Sequence, residues 1–220
     1  KIIPVALLAG LTSVTGDVPL VGCSTDAVIT PDGPLAPGVV VAGIGGAGFA
    51  AFTSVASAAG GGQRQAGAAA AGCFAGVADR EHRILMVLTD GYTSDQEAIL
   101  SGVYGVVGAS LPLVGGTASP GPAGIRTFQL YGGAVHHEAV IAVAIGSDAP
   151  LGVGLRHGWQ RVGEPLVVTD CAGTTVRTLN DQPALPLYLD RLGAPPEAYH
   201  DPVAFQRFAR DRPLGVSRRV

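Results

Sequence analysis

The sequence is short of charge, and of lysine above all. Lys1 is its only lysine, and charged residues make up 14% of 220 residues, with a net charge of −3. No cluster of Lys and Arg offers a surface that could track phosphates, so nucleic acid is not an expected partner. Cysteine is scarce as well. Cys23, Cys73 and Cys171 stand far apart, an odd set without CxxC spacing, which argues against a disulfide framework and fits a reducing cytoplasm. No apolar run is long enough to span a membrane. The opening KIIPVALLAGL is too short and has no clean cleavage site after it, and the Ala/Gly-rich stretch 48–78 is broken by Gln63, Arg64 and Gln65. The expectation is a cytoplasmic protein with no membrane partner.

What is abundant is apolar residues, 47% of the chain. That is enough for a substantial core and the opposite of a disordered composition. The length allows one large domain, or one domain and part of a second. With no initiator methionine and an ending at Ser217-Arg218-Arg219-Val220, the chain reads as a piece of a longer protein.

An internal echo organises the rest. Pro19-Leu20-Val21-Gly22-Cys23-Ser24-Thr25 returns as Pro112-Leu113-Val114-Gly115-Gly116-Thr117-Ala118. Each is followed by a Gly/Pro-rich loop and then a β-branched run, Val39–Gly45 in the first copy and Val140–Gly146 in the second. Two copies of one supersecondary unit explain this pattern. In the second copy Arg83–Thr89 predicts a buried strand ending at Asp90-Gly91, and Ser94–Val107 a helix, with Ser94 and Glu97 as a capping box. Leu111–Gly115, Thr127–Leu130 and Val140–Ile145 predict strands, with a hairpin turn at Tyr131-Gly132-Gly133 between the last two. Residues 1–12 correspond to the helix before Val18–Gly22, and an opening strand is missing in front of Lys1. Beyond Leu155 the character changes: Trp159–Thr169 and Thr174–Leu179 predict a strand pair, Pro183–Leu192 a helix, and Asp201-Pro202 the start of a short helix. The predicted division is 1–150 and 151–220.

Few residues stand in patterns that demand chemistry. Gly43-Ile44-Gly45-Gly46-Ala47-Gly48 matches GxGxxG after a strand, yet a dinucleotide site needs an acidic residue ~20 positions on, and 48–78 contains no Asp or Glu. Cys23-Ser24-Thr25 at a strand end reads either as a small packed turn or as a nucleophile, which would need an activating base; no spacing ties His82, His136, His137, His157 or His200 to it. His136-His137-Glu138 offers at most two ligands on one face of an extended segment, too few for a metal site. Asp90 is a ligand-anchoring carboxylate or a turn residue. His157 and Trp159 could wall a small pocket, or Trp159 could be a packing anchor.

In their order, these phrases resemble the FIST family. VGCST with its following loop, LTDG, a helix, PLVGGTA, TFQLYGGAV and AVIAVAIG are similar to its N-terminal domain. HGWQRVGEPLVVTDCAGTTVRTLNDQPALPLYLDRLG resembles the start of its C-terminal domain. The resemblance implies a bacterial sensory domain that binds a small ligand, such as an amino acid, and feeds a signalling output; it implies no catalytic residue, and no cofactor is expected. On that reading 1–150 is the N-terminal domain and 151–220 a truncated start of the C-terminal one. The expected fold is α+β: a pseudo-duplicated layered domain of mainly antiparallel sheets flanked by helices, plus part of a second α+β domain. Candidate ligand contacts are Cys23, Ser24, Thr25, Asp90, Gly115, Gly116, Thr117, His157 and Trp159. The alternative is a cysteine-dependent hydrolase or transferase using Cys23. An assembly with the Ala/Gly stretch at a subunit interface is left open.

Overall fold

Pro4 sets the first helix, α1 (Pro4–Thr15), because its fixed φ suits a first helical turn, and Gly16 ends it at φ 58°. The computed structural model describes residues 3–35, 37–92, 95–119, 126–173 and 175–215. After α1 come β1 (Val21–Cys23) and the hairpin strands β2 (Val28–Thr30) and β3 (Gly33–Leu35). β4 (Phe49–Ser57), α2 (Gln63–Ala71) and a 3-10 segment (Gly72–Val77) account for the Ala/Gly-rich stretch. Next are β5 (His82–Asp90), α3 (Gln96–Val107), β6 (Leu113–Ala118), β7 (Gln129–Tyr131), β8 (Ala134–His136) and β9 (Ala139–Ser147). The chain divides into two compact units, Lys1–Leu155 and Arg156–Val220.

The first unit is built on a four-stranded sheet in the order β4-β9-β5-β6. β9 lies antiparallel to both β4 and β5, while β5 and β6 run parallel through the α3 crossover. All of β9 except its last residue is buried, which is why it reads as an unbroken apolar run. Val140, Ala142 and Ala144 of β9 join Leu85 and Val87 of β5 in a core closed by Ala66, Ala70, Ile99 and Val103 from α2 and α3. A smaller antiparallel sheet, β1-β7-β8, completes the unit. The architecture is α+β, and its order of elements runs twice: helix, strand, hairpin, long strand, as α1, β1, β2–β3, β4 and again as α3, β6, β7–β8, β9.

Four local expectations change, one of them in the second unit, where the strand expected over Trp159–Thr169 is irregular as far as Val167 and begins only at Val168. Val39–Gly45 forms no strand; residues 37–46 are irregular, and β4 takes the place of the long strand in the first copy. Ser94 lies outside the described residues, and the cap of α3 is Asp95, whose carboxylate accepts from the Ala98 N–H at 2.8 Å. The turn after Tyr131 leads into the short β8 rather than directly into β9, because the chain must bend at His137-Glu138 before entering the main sheet.

Helices α2 and α3 cross at glycine. A Cβ on Gly67 would sit 2.1 Å from the Ile99 carbonyl oxygen, and one on Gly102 would sit 2.0 Å from that of Arg64. The small residues that weaken each helix alone are thus what lets the pair close. Among the described residues no helix is long and apolar enough to cross a membrane.

In the second unit β10 (Val168–Ala172), β11 (Thr175–Leu179) and β12 (Gln182–Pro183) form an antiparallel sheet. Thr174 lies outside the described residues. α4 (Ala184–Arg191) follows, and α5 (Pro202–Arg210) starts with Asp201 accepting from the Val203 N–H at 2.9 Å. Tyr188, Leu189, Ala198 and Phe208 form its core.

Two glycines of α3 give opposite predictions. Gly102→Ala should cost about 1–3 kcal/mol by forcing α2 and α3 apart. At Gly105 a Cβ meets nothing within 4 Å, so Gly105→Ala should stabilise by up to about 1 kcal/mol through helix propensity. Urea unfolding of both variants checks the pair.

Candidate functional site

Parallel β5 and β6 bring Thr89 opposite Thr117 and Asp90 opposite Ala118 at their C-terminal ends. This is where ligands of crossover-connected strands commonly sit. Gly115 makes the close approach possible: at φ 150° a Cβ there would lie 1.8 Å from the Val87 carbonyl oxygen.

Asp90 is the best-held polar group of this region. It is 1% exposed, and its Oδ1 accepts from the Tyr92 N–H at 2.9 Å and from the Thr127 hydroxyl at 2.7 Å. Its Oδ2 accepts from the Glu138 N–H at 2.9 Å. Its own backbone carbonyl accepts from the Gln96 side-chain amide at 2.7 Å, which ties in the start of α3. Burial alone would push the carboxyl upward. The amides of Tyr92 and Glu138, the Thr127 hydroxyl and the neighbouring His137 outweigh it and hold the group below the ordinary carboxylate value.

Gln129, fully buried, acts as an extra peptide group. Its side-chain amide donates to the Ala139 carbonyl at 2.6 Å and accepts from the Ala139 N–H at 3.0 Å, with a further donation to the Leu88 carbonyl at 3.2 Å. It thereby ties β7 to β5 and β9. His137 Nδ1 lies 2.7 Å from the Thr127 carbonyl oxygen, which can only accept, so Nδ1 carries the proton.

The two echoed segments, whose Gly115-Gly116-Thr117 portion lies within β6 rather than in a turn, meet at their ends here. The Ser24 N–H donates to the Phe128 carbonyl at 2.9 Å, and the Phe128 N–H donates back to Ser24 Oγ at 3.2 Å. The Ser119 N–H donates to the Ser24 carbonyl at 3.0 Å, and the Ser119 hydroxyl donates to the Asp26 carboxylate at 2.6 Å. The end of β1 is therefore bonded both to Phe128 and to Ser119 after β6, and Thr127, next to Phe128, is bonded to Asp90 at the end of β5. Thr25 is exposed, its hydroxyl donating to the Ala27 carbonyl at 3.1 Å; Gly115, Gly116 and Thr117 are also exposed. Cys23 is half-buried in β1 opposite Gln129, and burial pushes its thiol up, away from the reactive thiolate. His157 and Trp159 belong to the second unit, in an irregular segment, with Trp159 57% exposed.

The model of the FIST N domain matches residues 3–182. The chain belongs to the FIST N domain family. Comparison with curated proteins and with solved structures gives no match. The family is associated with sensory signal transduction and is not known for catalysis. In this FIST N domain no group of three or more His, Cys, Asp or Glu among the described residues is placed to hold a metal ion. Among the described residues are a surface concavity of about 300 Å³ between α2 and α3, lined by Arg64, Gln65, Ser101 and Gly105, and, within the second unit, one of about 310 Å³ lined by Leu185, Tyr188, Phe205 and Leu214.

Reasoning from sequence missed Asp26, Ser119, Thr127 and Gln129. Gln129 had a signal, a lone polar residue inside the apolar TFQLY run, which a buried strand carries only when its amide is satisfied.

The buried node has a pH signature. A carboxyl whose folded pKa is depressed adds stability above the unfolded value of about 3.9, and that stability is lost as pH falls through the folded pKa. Asp90→Asn should therefore cost roughly 2–3 kcal/mol at pH 7, by leaving buried donors unmatched. Its deficit relative to the parent should shrink as the pH drops below 4. Denaturant midpoints across pH 3–7 provide the check.

Proposed function

We propose that this FIST N domain senses a small metabolite, an amino acid or a close relative, at the C-terminal ends of β1, β5 and β6. Binding there biases a signalling output. The observation that carries this reading is that Thr127-Phe128 bonds both to the buried Asp90 carboxylate and to Ser24 at the end of β1, while Ser119 after β6 bonds to Ser24, with exposed small polar residues around them. Such convergent polar groups on rigid strand ends are what fixes a small ligand's orientation.

In this proposal Ser24, Thr25, Gly115, Gly116 and Thr117 contact the ligand, with Cys23 behind them. Gly115 and Gly116 lie within the outer strand β6 rather than in a turn, and outer-strand N–H groups that do not face β5 suit a carboxylate; the Asp26 carboxylate beside Ser119 suits an ammonium group. Asp90 has both oxygens engaged, so its part is to position 126–128 and the bend at Glu138. His157 and Trp159 lie in the second unit and take no part in this proposal. The binding free energy acts on the populations of two conformations rather than on a transition state. A hydrolase or transferase using Cys23 has less support, since burial disfavours its thiolate.

A thermal-shift screen against amino acids and related metabolites tests the proposal. A ligand at a hundred times its dissociation constant adds ~2.7 kcal/mol, which should raise the midpoint by roughly 5 °C or more for a chain of this size. Thr25→Ala with Thr117→Ala should abolish the shift while leaving the unliganded midpoint within about 2 °C. A shift that survives both substitutions places the ligand elsewhere, and no shift with any compound removes the amino-acid reading.

A further inference from the structure

β4 is an outer strand, and among the described residues it pairs only with β9. The parity of that pairing is fixed at both ends. The Ala58 N–H donates to the Glu138 carbonyl at 2.7 Å, and the Asp148 N–H donates to the Gly48 carbonyl at 3.0 Å. Even-numbered residues of β4 therefore bond to β9, and the N–H and C=O groups of Ala51, Thr53 and Val55 point outward. The strand itself carries none of the usual edge devices: its nine residues, FAAFTSVAS, include no charge and no proline, and its register with β9 runs without a bulge.

A few residues upstream lies the irregular β-branched run 39–45. Val39, Val40, Val41 and Ile44 are 44%, 50%, 60% and 72% exposed, a large apolar surface left open among the described residues. Between the run and β4 is a turn in which the Phe49 N–H donates to the Gly46 carbonyl at 3.2 Å across Ala47-Gly48. That bond is the first rung of an antiparallel hairpin. Continued, it sets Ile44 opposite Ala51, Ala42 opposite Thr53 and Val40 opposite Val55, the residues whose backbone groups point outward. The Thr53 carbonyl accepts from the Tyr131 hydroxyl at 3.1 Å and keeps a second lone pair for a rung.

We propose that the edge of β4 is the docking site for this chain's own residues 39–45, which add to the sheet as a fifth strand. A tether of three residues gives this segment a high effective concentration at the edge, and the existing turn bond already sets the register. Gly48 has φ 75° whereas Ala47 is outside the left-handed region, a turn of the class whose twist splays flanking strands. The turn thus explains why the run stands off the edge here. It also indicates how to close it, because glycine at position 47 opens the mirror-image turns that match strand twist.

Nuclear magnetic resonance on the 220-residue chain and on its Ala47→Gly variant tests this. Closure predicts Hα–Hα contacts for the non-hydrogen-bonded pairs Gly43–Phe52 and Val41–Ser54. It also predicts amide exchange at Ala51, Thr53 and Val55 roughly tenfold or more slower than in open chain, and slower still in the variant. Open-chain exchange without those contacts in both proteins overturns the proposal. Protection without the Gly43–Phe52 contact, or contacts that arise only between differently labelled chains, assigns the edge to another segment or to a second copy and overturns it too.

Discussion

The Asp90 carboxylate connects three parts of the chain that are far apart in sequence. Its three hydrogen bonds reach the turn after β5, the segment entering β7 and the bend at Glu138 before β9, and its backbone carbonyl holds the start of α3. A carboxylate with this little solvent around it is tolerated only because each donor is aimed at it. Glu138 shows what the arrangement demands in return. It sits at φ 49°, in the left-handed region, so that its N–H can point at Asp90 while its carbonyl accepts from Ala58. The site's geometry and the register of the β4–β9 pair are therefore settled at the same few atoms.

Around that node the molecule uses two kinds of closeness. Glycine lets backbone meet backbone, at Gly115 against Val87 and at Gly67 and Gly102 between α2 and α3. Side-chain amide and hydroxyl groups then stand in for missing ladder bonds, as Gln129 does with Ala139 and Ser24 with Phe128. A protein so poor in charge has little recourse to ion pairs. Its polar specificity comes from neutral groups arranged around one buried anion.

Much of this could be read from the sequence where the physics is local. The apolar runs of β5 and β9, the proline starts of α1 and α5, and the twofold order of elements all follow from short-range pattern. Long-range constraints were hidden. Whether Val39–Gly45 pairs depends on a turn at Ala47-Gly48 that composition does not report, and the run is as β-branched as many true strands. Asp90 stood in the sequence as a residue at a strand end, but its role depends on Thr127 and Glu138, both more than thirty residues away. Ser119 and Asp26, 93 positions apart, meet only because the two echoed segments do.

The measurement that bears most directly on this account is the pH titration of the Asp90 side-chain carbonyl carbon by carbon-detected magnetic resonance in the folded protein. The account predicts a midpoint clearly below the ordinary aspartate value of about 3.9, because the carboxylate is the acceptor at the centre of the node. A midpoint at or above that value would mean that burial outweighs the hydrogen bonds and that ionisation of Asp90 does not stabilise the folded chain, which would contradict the account.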